Sequence, residues 1–199
     1  MIERVTNEKV RALAFQLQKK GKSLCGDSFF MTTTEDYFIC VLADGLGSGE
    51  LAHESSQVIT ELVKCCHEEE VGQLLEKCNT ALKEKRGATV GIFKMTFADQ
   101  QLTYGSVGNI RFVMHNPSGD FVYPLPILGY MSGKPQKYKI SSYSYQSGAK
   151  FIIHSDGLKI TAIKSLLKNH ETIEEISTFL EPFTKERDDD LTYIAGQIF

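Results

Sequence analysis

The sequence predicts an α+β fold in which antiparallel sheets are covered by pairs of helices. Apolar residues recur at helical spacing in two consecutive segments of the first half, then in short strand-like runs, and again at helical spacing before a closing strand. Strands in runs and helices in pairs favour this class over a repeating βαβ unit. Because no Pro- or Ser-rich linker or internal repeat divides the 199 residues, we expect residues 1–199 to form one domain.

The first half is predicted to hold two strands and then two helices. Residues 12–17 and 37–43 are strand-like, and the second run is so apolar that both of its faces should be buried. Residues 51–67 and 71–85 carry apolar side chains near helical spacing, and Ser48 is the expected N-cap of the first helix. Two consecutive helices therefore follow the first strands.

The second half changes to short strands and then returns to helical spacing. Turn signals such as Asp99-Gln100 separate the strand-like runs. Strands are predicted over residues 89–97, 101–107, 111–115, 121–125, 137–145, 150–154 and 191–199. Two more helices are predicted over residues 160–168 and 172–180, the second with Thr172 as N-cap.

Composition and charge exclude several classes of function. The formal net charge of −3 gives no basic surface, so no nucleic acid is expected as a partner. No apolar stretch approaches the roughly 20 residues that cross a bilayer, and the start lacks the apolar centre of a signal peptide. The five cysteines are an odd count and include the adjacent Cys65 and Cys66, which suits reduced thiols. We expect a cytoplasmic protein with no membrane partner, and a monomer.

Four aspartates lie at the ends of apolar runs: Asp27, Asp44, Asp156 and Asp189. Two of them are followed directly by glycine, which lets the backbone approach another group closely. Carboxylates gathered at strand ends repel one another unless a positive charge lies between them. Hard divalent cations such as Mg²⁺ or Mn²⁺ prefer oxygen ligands of this kind. The pattern predicts a metal-dependent enzyme, and most sharply a two-metal hydrolase.

Each aspartate taken alone has a simpler explanation. Asp44 could cap a tight strand-to-helix turn, Asp156 could belong to an ordinary Asp-Gly turn, and residues 188–190 could form a solvated acidic loop. A phosphate-binding P-loop fits poorly, since no Lys-Ser or Lys-Thr pair follows the glycines after Asp44. Cys25 is a weaker candidate nucleophile, because the aspartates explain its neighbourhood better. Four carboxylates at four strand ends favour the metal site over coincidence.

The order of the motifs adds specificity that no single motif has. The set is Gly26-Asp27, Asp44-Gly45-Leu46-Gly47-Ser48-Gly49, Gly87-Ala88-Thr89, Val107-Gly108-Asn109-Ile110-Arg111, Ser155-Asp156-Gly157 and Asp189-Asp190-Leu191-Thr192. This set covers essentially the whole chain and resembles the metal-dependent serine/threonine phosphatases of the PPM family. The short length and the Gly-Leu-Gly-Ser-Gly loop resemble the bacterial branch that controls sigma factors.

The resemblance implies a fold, an activity and a partner. It implies a four-layer αββα sandwich with a centre for two ions, Mn²⁺ or Mg²⁺, at one edge. It implies hydrolysis of phosphoserine or phosphothreonine by metal-activated water. The implied substrates are phosphorylated stressosome scaffold proteins, and the implied outcome is negative feedback on the general stress sigma factor pathway.

The resemblance also implies a role for each site residue. Asp44 would bridge both metals, and Gly45 would give its backbone carbonyl to one of them. Asp156 and Asp189 would complete the shell of the other metal. Asp27 would act through coordinated water, so that Asp27 and Asp44 are the expected catalytic residues.

Several positions depart from the family pattern. Lys22 stands where larger members carry an arginine that clamps the phosphate, and it is the expected phosphate-binding residue here. Gly26, Leu46 and Ile160 replace a glutamate, a histidine and an aspartate that many members have. These departures leave a second hypothesis open: a catalytically weak phosphatase-fold module that docks on a scaffold protein.

Overall fold

The computed structural model describes residues 1–185 and 188–199. The strands in these ranges are β1 (Ile2–Thr6), β2 (Val10–Leu17), β3 (Asp27–Thr33), β4 (Tyr37–Gly45), β5 (Ala88–Thr96), β6 (Gln101–Val107), β7 (Arg111–His115), β8 (Phe121–Val122), β9 (Ile140–Ser144), β10 (Lys150–His154) and β11 (Leu191–Ile198). The helices are α1 (Glu50–Cys66), α2 (Val71–Ala81), α3 (Ile163–Asn169), α4 (Ile173–Leu180) and a short 3-10 helix (Glu181–Thr184). In the same ranges, no helix is both long and apolar enough to cross a bilayer.

The strands form two antiparallel sheets. One sheet has six strands in the order β1-β2-β11-β10-β7-β8, and the other has five in the order β3-β4-β5-β6-β9. The interior strand β4 is buried along most of its length, because helices cover one face of its sheet and the second sheet covers the other. Neighbouring strands that are far apart in the chain, such as β2 and β11, bring distant loops to the same edge.

An aromatic core lies between the two sheets. Phe38 and Phe93 of the five-stranded sheet meet Phe112 and Phe151 of the six-stranded sheet, and all four side chains are fully buried. The ring centroids of Phe93 and Phe112 are 4.9 Å apart, and those of Phe93 and Phe151 are 5.1 Å apart. Buried rings in such tilted and edge contacts stabilise a core beyond their burial alone. This core fixes one sheet against the other.

Each sheet is covered on its outer face by a helix pair. Ile59 of α1 and Leu74 of α2 belong to the cluster on the five-stranded sheet, while Leu167 of α3 and Ile176 of α4 belong to the cluster on the six-stranded sheet. The order of layers is therefore helices, sheet, sheet, helices. The predicted α+β class and αββα sandwich are confirmed.

Strands β1 and β3 are absent from the sequence-based prediction. In β3 only three apolar residues stand together, flanked by Asp27-Ser28 and Thr32-Thr33, so the run is too short to signal a strand by itself. Its pairing with β4 over seven residues supplies the order that the local sequence lacks. Strand β1 pairs with β2 in the same way, at the outer edge of its sheet.

The helix boundaries also differ at three ends. The N-cap of α1 is Gly49, with no side-chain cap, instead of Ser48. Helix α2 ends at Ala81 instead of residue 85, and Glu84 that follows has a positive φ of 65°, which a continuing helix cannot contain. Helix α3 begins at Ile163 rather than residue 160. The Thr172 cap is as predicted, with Glu175 N donating to Thr172 Oγ1 at 3.2 Å.

Candidate metal centre

Sheet register places the first two predicted carboxylates side by side. Asp27 begins β3 and Asp44 is the penultimate residue of β4, and the antiparallel register pairs the two residues directly. Directly opposed residues in an antiparallel pair have Cβ atoms about 5 Å apart. Asp27 is only 1% exposed and Asp44 is half-buried. Two acidic groups are thus held close together, at the edge of the five-stranded sheet.

Asp27 has one satisfied oxygen and one orphaned oxygen. Its Oδ2 accepts a hydrogen bond from Ser155 Oγ at 2.7 Å, while its buried Oδ1 has no partner in the described part of the protein. Burial raises the pKa of this carboxyl well above its usual range, and the charge of Asp44 raises it further. A buried carboxylate oxygen without a donor needs a cation or an ordered water. Asp27 therefore fits an oxygen-ligated metal site.

Asp44 lies within the field of the other acidic groups. Burial, followed by the charges of Asp156, Asp189 and Asp190, raises its pKa to about 7. The charges of Asp156, Asp189 and Asp190 all disfavour the ionised form of Asp44. A positive charge among them would return Asp44 to its ionised form.

The other two predicted carboxylates come from the six-stranded sheet. Asp156 follows β10 and Asp189 precedes β11, and these strands pair antiparallel, so the end of one meets the start of the other. Burial, then the charge of Asp189, raises the pKa of Asp156. Asn109 Nδ2 donates to Asp156 Oδ2 at 2.7 Å and so orients that carboxylate.

All four predicted aspartates therefore reach one edge of the sandwich, two from each sheet. Among the described residues, however, no three His, Cys, Asp or Glu side chains are close enough to hold an ion by themselves. The donor set implied by the resemblance is not made of side chains alone, since it includes the Gly45 carbonyl and water. Hard divalent ions, Mg²⁺ in particular, commonly keep several waters and use few protein carboxylates.

Asp190 is a site residue that sequence reasoning left without a role. It is 5% exposed, and its two oxygens accept hydrogen bonds from Lys19 N at 2.8 Å and Gly26 N at 2.9 Å. Gly45 N donates to Gly26 O at 3.1 Å, which extends the β3–β4 register by one residue. The reciprocal ladder bond would run from Gly26 N to Gly45 O, but Asp190 accepts from Gly26 N instead. The Gly45 carbonyl is thereby left without its ladder partner.

Hydrogen bonds also tie the two sheets together at the site. Ser155 Oγ, which donates to Asp27, accepts from Thr192 N at 3.0 Å. Gln16 Nε2 donates to the Asp27 carbonyl at 3.0 Å and to Thr192 Oγ1 at 3.3 Å. These hydrogen bonds hold Asp27 against the strand ends of the six-stranded sheet. In metal sites, contacts that orient a ligand in this way support metal binding.

Lys22 and Cys25 lie in the loop between β2 and β3. Lys22 is exposed, and in the described ranges its ammonium makes no ion pair or hydrogen bond; only its backbone N–H donates, to Lys19 O at 3.1 Å. The Cys25 thiol lies 3.8 Å from Leu17 O, and burial, then the charge of Asp27, raises its pKa strongly. A thiol that stays protonated is a poor nucleophile, which agrees with the interpretation of Cys25 as a weak candidate nucleophile.

Comparison with known proteins identifies the family. The family model described as Stage II sporulation protein E (SpoIIE) matches residues 34–198. The Bacillus subtilis (strain 168) protein named phosphoserine phosphatase RsbX is 54% identical over 198 residues, which cover 100% of both chains. The crystal structure of RsbX in complex with magnesium matches with a TM-score of 0.98, again over 100% of each chain at 54% identity.

Two further solved structures share the fold. One, described as "The bacterial stressosome: a modular system that has been adapted to control secondary messenger signaling", has a TM-score of 0.86 at 25% identity and covers 96% of this chain and 100% of its own. The catalytic domain of the serine/threonine protein phosphatase PstP in complex with two manganese ions has a TM-score of 0.74 at 15% identity, covers 96% of this chain and 98% of its own, and supports the fold alone. The predicted family and enzyme class are confirmed. The chain belongs to the SpoIIE family, the PPM-type serine/threonine phosphatases that its ordered motifs resemble.

Proposed function

We propose that this chain is a divalent-metal-dependent protein phosphatase that hydrolyses phosphoserine and phosphothreonine in stressosome scaffold proteins. By removing those phosphates it gives negative feedback on the general stress sigma factor pathway. The full-length likeness to phosphoserine phosphatase RsbX supports the reaction, and the likeness to a stressosome phosphatase-fold structure supports the setting. The single observation that carries the proposal is the direct pairing of Asp27 and Asp44, with one buried Asp27 oxygen that has no partner among the described residues.

The proposed site holds two ions, Mn²⁺ or Mg²⁺. Asp44 would serve as a ligand for both, the Gly45 carbonyl would bind one, Asp156 and Asp189 would bind the other, and Asp27 would act through water. The magnesium-bound RsbX structure supports a divalent ion of this kind. When bound, the ions supply a water of lowered pKa as nucleophile and offset the charge that develops on the phosphoryl oxygens.

The residues of the chain prepare this site before any substrate arrives. Ser155 holds one oxygen of Asp27 by donating to it, and Asn109 holds one oxygen of Asp156. Asp190 accepts from Gly26 N and leaves the Gly45 carbonyl open. Because water is the nucleophile, no side chain needs to attack phosphorus, and the protonated Cys25 thiol takes no part.

Three further expectations are part of the proposal. Residues 1–199 form one PPM-type domain, because side chains from both sheets share the core between them. A monomer is proposed, with Lys22 as a phosphate-binding residue at the rim of the site. A cytoplasmic location is proposed because all five cysteines, each in the described part of the chain, are free.

Manganese-dependent release of phosphate tests the proposal. The purified chain is incubated with phosphorylated stressosome scaffold proteins in parallel, with Mn²⁺, with excess chelator, or with a thiol-blocking reagent. We expect release with Mn²⁺, none with chelator, and no effect of the thiol reagent. A chain that shows no saturable Mn²⁺ binding at micromolar to millimolar levels, yet binds the scaffold, would support the docking module instead.

A further inference from the structure

We propose that Arg86 is a phosphate-binding residue and that its guanidinium holds the phosphoryl group of the substrate at the rim of the metal centre. This inference rests on the proposed function, and it names a residue for which sequence reasoning gave no role. Arg86 precedes β5, the strand that pairs with β4 along the edge where Asp44 lies. The chain therefore brings this arginine to the loop that follows the central carboxylate.

Backbone contacts fix the position of Arg86 along this edge. Leu46 N donates to Gly87 O at 3.0 Å, and Gly45 is paired with Ala88 in the β4–β5 register. The residue immediately before Gly87 is thereby held beside the residue immediately after Leu46. Arg86 and Gly47 therefore lie opposite each other, one residue beyond this hydrogen bond.

The guanidinium lies flat against Gly47. A Cβ built on Gly47 would lie 2.9 Å from Arg86 Cζ and 3.1 Å from each of its two terminal nitrogens. Nearly equal distances to three atoms of one plane mean that Gly47 meets the face of the guanidinium. The N–H groups point outward in that plane, so the face contact does not consume them. Any larger residue at position 47, which has a φ of 93°, would push the side chain away.

Arg86 has donors to spare. It is exposed, and none of the hydrogen bonds among the described residues uses its guanidinium. The ion pairs within residues 1–185 and 188–199 are Lys19–Asp189, Lys77–Glu69, Lys85–Glu54 and Lys159–Asp188. Arg86 belongs to none of them, whereas its neighbour Lys85 is neutralised by Glu54. A cation with open donors thus lies against Gly47, which is two residues along the chain from Gly45.

The chemistry of the substrate suits this cation. A phosphoserine phosphate is a dianion at neutral pH, and the carboxylates of the site repel it unless cations offset their charge. A guanidinium offers two parallel N–H donors that match two oxygens of one phosphate, which the point charge of Lys22 cannot do. Arg86 would therefore orient the phosphoryl group as well as attract it.

Arginine substitutions measured on two substrates and one product test the assignment. Arg86→Gln removes the charge, and Arg86→Lys keeps the charge but lacks the two parallel N–H donors. Lys85→Gln is the matched control one residue away. With Mn²⁺ saturating, we expect Arg86→Gln to lower kcat/KM about 10- to 100-fold on both a phosphoprotein and p-nitrophenyl phosphate. The inhibition constant of inorganic phosphate should rise by a similar factor. Arg86→Lys should recover part of each loss, and Lys85→Gln should stay within about twofold of wild type.

Several outcomes would overturn the assignment. Unchanged kcat/KM and unchanged phosphate inhibition in Arg86→Gln would show that the guanidinium does not touch the phosphate. A loss confined to the phosphoprotein would place Arg86 against an acidic segment of the partner instead. A parallel loss of Mn²⁺ affinity or thermal stability would make it a structural residue. If wild type releases no phosphate at all, the proposed function fails; calorimetry of inorganic phosphate with Mn²⁺-loaded wild type and Arg86→Gln still decides whether Arg86 binds phosphate.

Discussion

The two pairs of carboxylates at the site are held in different ways. Asp27 and Asp44 belong to neighbouring strands of the five-stranded sheet, and a continuous ladder of backbone bonds sets their relative position. Asp156 and Asp189 lie just outside β10 and β11, where the ladder of the six-stranded sheet has ended. Asp27 is buried, whereas Asp189 is exposed and lies 3.7 Å from Lys19. We therefore call Asp27 and Asp44 the rigid half of the proposed metal centre, and Asp156 and Asp189 its adjustable half.

The largest expected effect comes from removing a charge in the rigid half. Asp44→Asn keeps the shape of the side chain but removes the anion proposed to serve both metals, so we expect a loss of Mn²⁺-dependent turnover of about 100-fold or more. Turnover is measured at saturating Mn²⁺ on a phosphoserine protein. Asp188→Asn, an exposed neighbour of the adjustable half, is the matched control. Near-wild-type turnover in Asp44→Asn would refute the shared-ligand role.

The second-largest effect is expected at Asp190, which supports the rigid half without being a proposed metal ligand. Asp190→Ala deprives Gly26 N and Lys19 N of their acceptor, and the Gly26 N–H becomes able to donate to the Gly45 carbonyl. We expect Mn²⁺ affinity to fall about 10- to 100-fold and stability to fall by about 1–3 kcal/mol. Calorimetric Mn²⁺ titration and urea unfolding measure the two quantities. Lost stability with unchanged Mn²⁺ affinity would leave Asp190 a purely structural residue.

A smaller effect is expected in the adjustable half. Asn109→Ala removes the donor to Asp156, but that carboxylate is partly exposed and water can replace the bond. We expect turnover at limiting Mn²⁺ to fall by no more than about tenfold and to recover when Mn²⁺ is raised. The Mn²⁺ dependence of turnover is compared in the variant and wild type. A loss of turnover in Asn109→Ala that saturating Mn²⁺ does not relieve would remove the distinction between the halves.

A separate effect, on stability and not on turnover, is a pH dependence of the metal-free protein. Burial and neighbouring charges raise the pKa of Asp44 from its ordinary 3.8 to about 7 in the folded state, so folding favours the protonated form. The stability from this group is present below about pH 4 and is lost as the pH rises through about 7. In urea unfolding with chelator, the urea concentration at the midpoint should decrease as the pH is raised from about 5 to about 8. Asp44→Asn should make this decrease smaller. A midpoint that rises over this range in wild type would contradict the repulsion inferred among the carboxylates.

The sequence predicted the carboxylates of the rigid half, but it did not predict the contacts that hold them in place. Apolar runs such as β4 are local signals, and an aspartate at the end of such a run is visible without any structure. Strand β3 was missed because pairing with β4, rather than its own composition, makes it a strand. That omission hid the direct opposition of Asp27 and Asp44.

The supporting contacts could not be predicted, because they join residues far apart in the chain. Asp190 lies 164 positions from Gly26, and Ser155 lies 128 positions from Asp27. No spacing rule connects such residues, and only the topology of the sandwich brings them together. Arg86 is a similar case: its place beside Gly47 follows from the β4–β5 register, not from any motif.

The buried rings between the sheets bear on how such an enzyme can evolve. Phe151 is paired with Gly196 across β10 and β11, and a Cβ on that glycine would overlap the ring. The ring therefore packs over this glycine in the core between the two sheets, and each of these sheets carries one half of the centre. Core exchanges that conserve volume are tolerated, whereas larger or smaller ones shift packed layers. Selection for catalysis should thus restrain the size of hydrophobic residues that never meet the substrate.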